Sequence, residues 1–474
     1  MPQKTYTKIL ATVGPSSESK EVLSKLINAG VDAFRFNFSH GTHADHKERY
    51  KIIRKLEKAK GVHLSIVADL QGPKLRVGNF KDGSVFLKEG AKFRLDMDAK
   101  PGDVERVCLP HKEIFKALKV GDELLLNDGN ITLQVDKCGD NYALTTVKYG
   151  GILSGHKGVN LPNTHLPISA ITSKDKEDLK MALKLGADWV SLSFVQTADD
   201  VRSARKLIGK KAGIISKLEK PSAIEDLDEI IQLSDAIMVA RGDLGVECPV
   251  QTVPVLQKRI VTACRKYGKP VIVATQMLES MINAPMPTRA EVSDVATAVY
   301  DGADTVMLSA ETAAGKYPVE SVSMMNKIIT EVEADKLFFT LMEKARNVVK
   351  CDSVADAITY AASEVASTLS NLAAIATYTS SGYTTMLMAK ERPNLPILAI
   401  TPLLNIARRM AIVWGVKSFV NKDSFKNFDQ VEEATVKISK KSGLAKKGDH
   451  VLITAGLPFN ESGKTNMLHT IEIK

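Results

Sequence analysis

The chain has 474 residues, of which 44% are hydrophobic and 25% charged, with a formal net charge of +9. That length exceeds one ordinary hydrophobic core and predicts about two to four domains. No apolar run is long enough to span a bilayer, the first residues lack the apolar stretch of a signal peptide, and the positive charge is spread without a basic block or the aromatics that stack bases, so neither a membrane nor a nucleic-acid partner is expected.

Apolar strand-like runs recur at 9–13, 33–38, 64–68, 189–194, 213–216, 236–240, 271–274 and 305–308. Parallel strands buried on both faces read as such near-continuous runs. Between most of them lie stretches of helical periodicity, such as 18–29, 174–185, 222–233 and 289–300, with Ser17, Thr172, Pro221 and Thr288 as helix starts. Strand–helix alternation repeated eight times predicts an α/β protein built on a (β/α)8 TIM barrel rather than an open sheet. The third unit is interrupted, because no helix follows its strand until about residue 169, leaving an insertion of roughly 95 residues, ample for a small domain. Alternating runs at 84–87, 92–95, 123–126 and 131–135, divided by Lys81-Asp82-Gly83, Asn127-Asp128-Gly129 and Lys148-Tyr149-Gly150-Gly151 turns, mark it as all-β, expected as a small β-barrel. It leaves from the end of the barrel where chemistry is expected, so it suits a lid. Runs at 373–377, 397–400, 418–420 and 450–454 predict a separate C-terminal α/β domain. The expected division is residues 1–70 with 168–345 as catalytic barrel, 71–167 as inserted lid, and 346–474 as C-terminal domain.

Polar residues close the barrel strands. Arg35, Asn37 and Ser39 alternate onto one face at the end of the second, and Asp69 ends the third. The fifth ends in Lys217-Leu218-Glu219, the sixth in Gly242-Asp243, the seventh in Thr275, and the eighth in Ser309 and Glu311. Any one of these residues suits a helix cap or a buried ion pair, but together they are hard to explain as capping. The carboxyl face of such a barrel carries the chemistry, and a lysine beside two carboxylates suits a metal-bound anionic substrate. Five cysteines, Cys108, Cys138, Cys248, Cys264 and Cys351, show neither CxxC pairing nor metal-ligand spacing. They read as reduced thiols of a cytoplasmic protein, not as a zinc site.

At these residues the sequence resembles the pyruvate kinase family. The resemblance is carried by Thr7-Lys8-Ile9 with Gly14-Pro15, by residues 35–41, Gly72-Pro73, Lys217-Leu218-Glu219 and 240–245, and by the long strings 274–281, 287–291 and 308–313. It runs over nearly the whole chain and implies transfer of the phosphoryl group of phosphoenolpyruvate to ADP, giving pyruvate and ATP in glycolysis. Such a transfer asks for positioning and charge neutralisation more than for covalent chemistry. By resemblance, Glu219 and Asp243 hold Mg2+, with Mn2+ as a possible substitute. Lys217 lies against the transferring phosphoryl, Arg35 grips its oxygens, and Asp243, the Gly242 backbone and Thr275 help hold the substrate. Thr275 and Ser309 are candidates for the network that protonates enolpyruvate. Asn37, Ser39, His40, Arg76 and, from the lid, Lys157 are implied for the nucleotide; an ordinary structural reading makes His40 the N-cap of the next helix.

One departure from the family pattern concerns K+. Asn37, Ser39 and Asp69 of its usual site are present, but Leu70 stands at a threonine position and Lys74 at a glutamate position. Leucine offers no side-chain oxygen and lysine brings its own ammonium, so Lys74 is expected to replace the ion and K+ not to be required. In the C-terminal domain, Thr379-Ser380-Ser381-Gly382-Tyr383-Thr384 joins a strand to a helix and suits a phosphate cradle. The family uses this loop, with a glycine-containing loop like 456–465, for a sugar-phosphate or nucleotide effector such as AMP. An allosteric homotetramer follows from the same resemblance. Two other classes compete: a Mg2+-dependent barrel lyase or aldolase acting on 2-keto acids, which needs neither the lid nor the cluster at 35–40, and a non-catalytic metabolite sensor, expected to lack Lys217 or a metal carboxylate.

Overall fold

In the computed structural model, which describes residues 5–162, 164, 168–346, 353–423, 425, 427–458 and 464–474, eight parallel strands close into a ring. They are β1 (Lys8–Thr12), β2 (Ala33–Asn37), β3 (Ser65–Asp69), β4 (Trp189–Leu192), β5 (Gly213–Leu218), β6 (Ala236–Ala240), β7 (Val271–Ala274) and β8 (Thr305–Leu308). Around the ring the order is β1-β8-β7-β6-β5-β4-β3-β2, and β2 pairs with β1. The side-chain period of two splits each strand. Leu10, Val67, Ile215, Met238, Ile272 and Met307 pack within the barrel, whereas Ile9, Phe34, Ile66, Ile214, Ile237 and Val306 join the layer beneath the helices.

Local chemistry accounts for where the helices differ from expectation. The first, Lys20–Ala29, is capped by Ser19, whose side chain accepts the Val22 N–H, and not by Ser17. Ser17 is buried instead, its Oγ accepting the Gly14 N–H at 3.2 Å. Thr172 and Thr288 do cap their helices, each in a reciprocal box with the acid three residues on, Asp175 and Glu291. The single helix expected over 222–233 is two, Pro221–Glu225 and Leu227–Leu233, parted at Asp226, whose carboxylate accepts the Ala198 N–H at 2.7 Å.

The insertion is rich in strands, but they form a six-stranded sheet and a separate pair, Ser84–Leu87 with Gly151–Ser154, rather than one closed barrel. A short helix, Lys112–Ala117, interrupts the alternation. Phe80, Phe93, Leu124, Leu133 and Val147 belong to a core of its own.

The C-terminal unit is a five-stranded sheet of β9 (Leu372–Tyr378), β10 (Ile397–Thr401), β11 (Val416–Val420), β12 (His450–Ala455) and β13 (Met467–Glu472), in the order β11-β10-β9-β12-β13. The unpredicted β13 is antiparallel to β12. Ile471 is its one buried residue, so the sequence carries little hydrophobic signal there. This unit seats on the amino end of the barrel. Ile412 enters the barrel's inner cluster, its carbonyl accepting the Thr305 hydroxyl at 2.8 Å, and the Trp414 N–H reaches Asp304 at 3.1 Å. The opposite mouth is left to the polar strand ends. Cys351 lies outside the described residues, and the other four cysteines are free thiols. Among the described residues no helix is long and apolar enough to cross a membrane.

Candidate active site

Two cations and two carboxylates interlock at the mouth. Arg35, near the end of β2, directs Nε and Nη2 at Asp69 Oδ2, at 2.7 and 2.5 Å, and Nη1 at Thr12 Oγ1, at 3.2 Å. Lys217 on β5 places its ammonium 3.6 Å from the same Asp69 oxygen and 2.8 Å from Glu219 Oε1. Burial pushes the Asp69 pKa up, but Lys217 and Arg35 more than offset it and hold the carboxylate ionised below its usual range. Burial likewise pulls on Lys217, and Asp69 and Glu219 reverse it, so the amine stays protonated.

Glu219 is fully buried. Its Oε2 accepts the Phe194 N–H at 2.8 Å, while Oε1 faces the Lys217 ammonium without accepting an aligned hydrogen bond. Burial raises its pKa, with Lys217 opposing and Asp243 reinforcing the rise. A buried carboxylate oxygen lacking a hydrogen bond, beside a second carboxylate, is a place for a hard cation. Among the described residues no cluster of three or more His, Cys, Asp or Glu stands close enough to enclose a metal. A pair of carboxylates fits Mg2+, which keeps positions for water and substrate oxygens.

Thr275 follows β7 with φ +71°, and Gln276 follows at +55°. A β-branched residue in the left-handed region persists only where its surroundings hold it. Arg241 supplies the hold, donating to the Thr275 carbonyl at 2.8 Å while gripping Asp294 through two 2.6 Å bonds. The Gly242 amide, expected to face the substrate carboxylate, here donates to Thr275 Oγ1 at 2.7 Å. Ser309, after β8, donates its N–H to Glu311 at 2.7 Å, and its buried Oγ has no hydrogen-bond partner among the described residues.

The nucleotide candidates divide between barrel and insertion. Asn37 Oδ1 accepts the Ser39 N–H at 3.0 Å. His40 is exposed and is not a helix cap: Thr42 caps helix His43–Lys60 in a box with Asp45. The His40 carbonyl meets His46 Nε2 at 3.1 Å, and His46 stacks on Phe38 with ring centroids 4.4 Å apart. Arg76 bonds to the His156 carbonyl at 2.9 Å, and the Lys157 carbonyl accepts the Val77 N–H at 3.0 Å, so both lie where the insertion joins the barrel. Between the two units is an open cleft, lined by Lys74, Gly158 and Asn160 on one side and Phe194, Lys220 and Asp243 on the other.

His46 carries a pH prediction. Burial and Arg49 push its pKa down from 6.5 to about 4, so the folded chain keeps the ring neutral where the unfolded chain protonates it. Its contribution to stability is whole above pH 6.5 and is lost as pH falls through about 4. His46→Phe, which retains the stack, is expected to lose less stability than the parent over that interval, measured by urea midpoints. Equal losses reject the assignment.

The Thr379–Thr384 segment lies on the C-terminal domain, away from the mouth. Thr379 Oγ1 accepts the Gly382 N–H at 2.8 Å, Ser381 Oγ accepts the Tyr383 N–H at 3.4 Å, and Thr384 shares a 2.7 Å bond with Thr465. Gly382, at φ +91°, caps helix Tyr383–Lys390. Of the 456–465 loop, residues 459–463 lie outside the described residues.

Sequence reasoning left several participants unassigned. Ser193, just past β4, accepts from Lys217 at 2.9 Å and donates to the Leu70 carbonyl at 2.8 Å. Arg241 and Asp294 support Thr275 from 53 residues apart, a separation no local pattern reveals. Glu247 takes 2.6 and 2.7 Å bonds from Lys220 and from Asn160 of the insertion. Lys220 follows Glu219 directly, and its charge so close to a carboxylate expected to hold a metal is the available signal.

Residues 4–322 match a family described as pyruvate kinase, barrel domain, and residues 356–471 match pyruvate kinase, alpha/beta domain. A pyruvate kinase of Methylorubrum extorquens is 47% identical over 468 residues, covering 99% of this chain and 97% of its own. One from Clostridium acetobutylicum is 39% identical, covering 98% of each chain. The crystal structure of a pyruvate kinase from Cryptosporidium parvum superposes with a TM-score of 0.93 at 34% identity, covering 99% of this chain and 96% of that one.

Proposed function

The chain belongs to the pyruvate kinase family, and from that premise we propose how its residues divide the work. The reaction moves the phosphoryl group of phosphoenolpyruvate to ADP, giving pyruvate and ATP; a lyase or aldolase of 2-keto acids is set aside by full-length relatedness to kinases. The observation that carries the residue assignment is Lys217, held 2.8 Å from Glu219 and 3.6 Å from Asp69. Its ammonium is positioned before substrate arrives and needs no reorganisation to neutralise charge as the phosphoryl group leaves the enol oxygen. Arg35 presents a planar fork to the phosphoryl oxygens. The Gly242 amide and Thr275 exchange their mutual hydrogen bond for the substrate carboxylate. Loss of the phosphoryl group leaves enolpyruvate, which takes a proton on its methylene carbon through the hydroxyls of Thr275 and Ser309 and the water they order. Glu219 and Asp243 would hold Mg2+, or Mn2+ in its place, which when bound neutralises phosphate charge and orients the reactants. Asn37, Ser39, His40, Arg76 and Lys157 would engage the nucleotide.

The same reading covers a lid at 71–167, a catalytic barrel at 1–70 with 168–345, and an effector domain at 346–474 whose 379–384 loop takes a sugar phosphate or AMP. It also covers activity without K+, a homotetramer, and glycolytic work in the cytoplasm. Coupled detection of pyruvate from phosphoenolpyruvate and ADP tests the core of it. Activity is expected with Mg2+, at or below the background rate after chelation, and again on restoring the metal. Pyruvate formation that ignores chelation would sink the metal assignment.

A further inference from the structure

One buried carboxylate outside the interlocked group at the mouth joins three separate parts of the chain. Glu247 ends the helix Arg241–Glu247, one turn after Asp243 and on the same face. Its side chain is fully buried, and Oε1 takes both of its bonds, at 2.6 Å from the Lys220 ammonium and at 2.7 Å from Asn160 Nδ2. Oε2 is buried with no hydrogen-bond partner among the described residues. Lys220 is itself buried and directly follows Glu219. The ion pair therefore ties the chain that carries Glu219 to the helix that carries Asp243. Asn160 belongs to the insertion, on the short strand Val159–Asn160, where the returning chain runs beside the outgoing one and the Val159 N–H donates to the Leu75 carbonyl at 3.0 Å. A second point of the insertion meets the same helix. A Cβ added to Gly129 would lie 3.7 Å from Val246 Cγ1, and Asn127 and Asp128, just before it, are held at φ +52° and +55°.

A buried carboxylate is fixed only as well as its donors fix it. Both donors of Glu247 use the same oxygen, and one of them comes from the insertion. We propose that Glu247 is a positioning residue that couples the seat of the insertion to the divalent-metal site. Lys220 ties the Glu219 segment to the Asp243 helix through Glu247, and Asn160 braces Glu247 only while the insertion is seated. Swinging the insertion away removes the Asn160 bond and loosens the helix that carries Asp243. Such coupling is reciprocal, so a bound metal in turn favours the seated insertion. The proposal rests on the reading that Glu219 and Asp243 hold the metal.

Mn2+ binding to the full-length protein without substrates, read from the electron paramagnetic resonance of the free ion, tests it. Asn160→Ala leaves the Lys220–Glu247 pair in place and is expected to raise the Mn2+ dissociation constant at least about threefold; a smaller shift overturns the proposal. Asn160→Asp keeps the shape, removes the donor and sets a second carboxylate against Glu247, so at least the same loss is expected. Parent-like binding there would mean that Asn160 only fills space, and it too overturns the proposal. Glu247→Gln is expected to weaken binding about tenfold or more. Should that variant not fold, the two Asn160 variants decide alone. Hydrogen exchange of the Arg241–Glu247 helix, followed by mass spectrometry, gives a readout free of metal. It should quicken in Asn160→Ala, and an unchanged rate rejects the coupling. Glu219→Gln separates the two ways of failing. If it abolishes Mn2+ binding while the Asn160 variants bind like the parent, the coupling falls and the metal reading stands; if it binds like the parent, both fall.

Discussion

Lys217→Met is expected to lower kcat by about 10³-fold while phosphoenolpyruvate still binds in the presence of Mg2+. Methionine keeps the stem's volume and removes the ammonium that sits 2.8 Å from Glu219 and 3.6 Å from Asp69. What is lost acts mainly on charge that develops as the phosphoryl group transfers, so the loss belongs in kcat more than in KM. Arg35 remains on Asp69 at 2.5 Å and continues to compensate that carboxylate. Glu219 fares worse, because among the described residues Lys217 is its one cationic partner and its other bond is to the Phe194 amide. Stranding a buried carboxylate costs about 3–5 kcal/mol. The variant should therefore melt well below the parent without metal and recover much of the gap when Mg2+ is added. Calorimetric titration with phosphoenolpyruvate, steady-state kinetics and melting with and without Mg2+ read the three effects separately. Full activity in the variant would remove Lys217 from the chemistry, and a melting deficit indifferent to Mg2+ would separate Glu219 from the metal.

Strands buried on both faces are the easiest elements to see in a sequence, which is why all eight barrel strands were legible to within a few residues. Their polar termini were legible for the same reason: charge that follows an unbroken apolar run marks where the strand leaves the core. Arg35, Asp69, Lys217 and Glu219 were found this way, and the structure brings them together. Ser193 was not, because serine past a strand end carries no distinctive chemistry, and its importance comes from accepting a bond from Lys217, 24 residues later. The fork of Arg241 on Asp294 escaped for a similar reason, since the support of Thr275 is tertiary. Helix starts failed where two capping residues competed. Ser17 and Ser19 both qualify by type, and the Gly14 amide, which claims Ser17, decides between them. The edge strand β13 and the seating of Ile412 in the barrel floor had little local pattern to announce them.

Exchange of K+ for tetramethylammonium is expected to leave the rate within about twofold, whereas Lys74→Met should cost about 10- to 100-fold, with K+ giving no rescue. The argument rests on which oxygens remain to hold an ion. Leu70 is buried, with no side-chain oxygen, and its carbonyl already accepts the Ser193 hydroxyl at 2.8 Å. Asp69 Oδ2 is taken by Arg35 and Lys217, and Asn37 Oδ1 by the Ser39 amide. Asp69 Oδ1 is buried without a hydrogen bond among the described residues, so a monovalent ion would meet that one oxygen, but it would have to displace the other bonds and would find no threonine hydroxyl at Leu70. Lys74 lines the cleft shared by the insertion and Asp243 and makes no ion pair among the described residues, so its ammonium is available to approach bound phosphate. Assays at constant ionic strength, with tetramethylammonium as the sole monovalent cation, decide the matter. A parent enzyme whose rate collapses there needs K+ after all, and a Lys74→Met variant that K+ restores would show that the ion has a place the lysine merely shares.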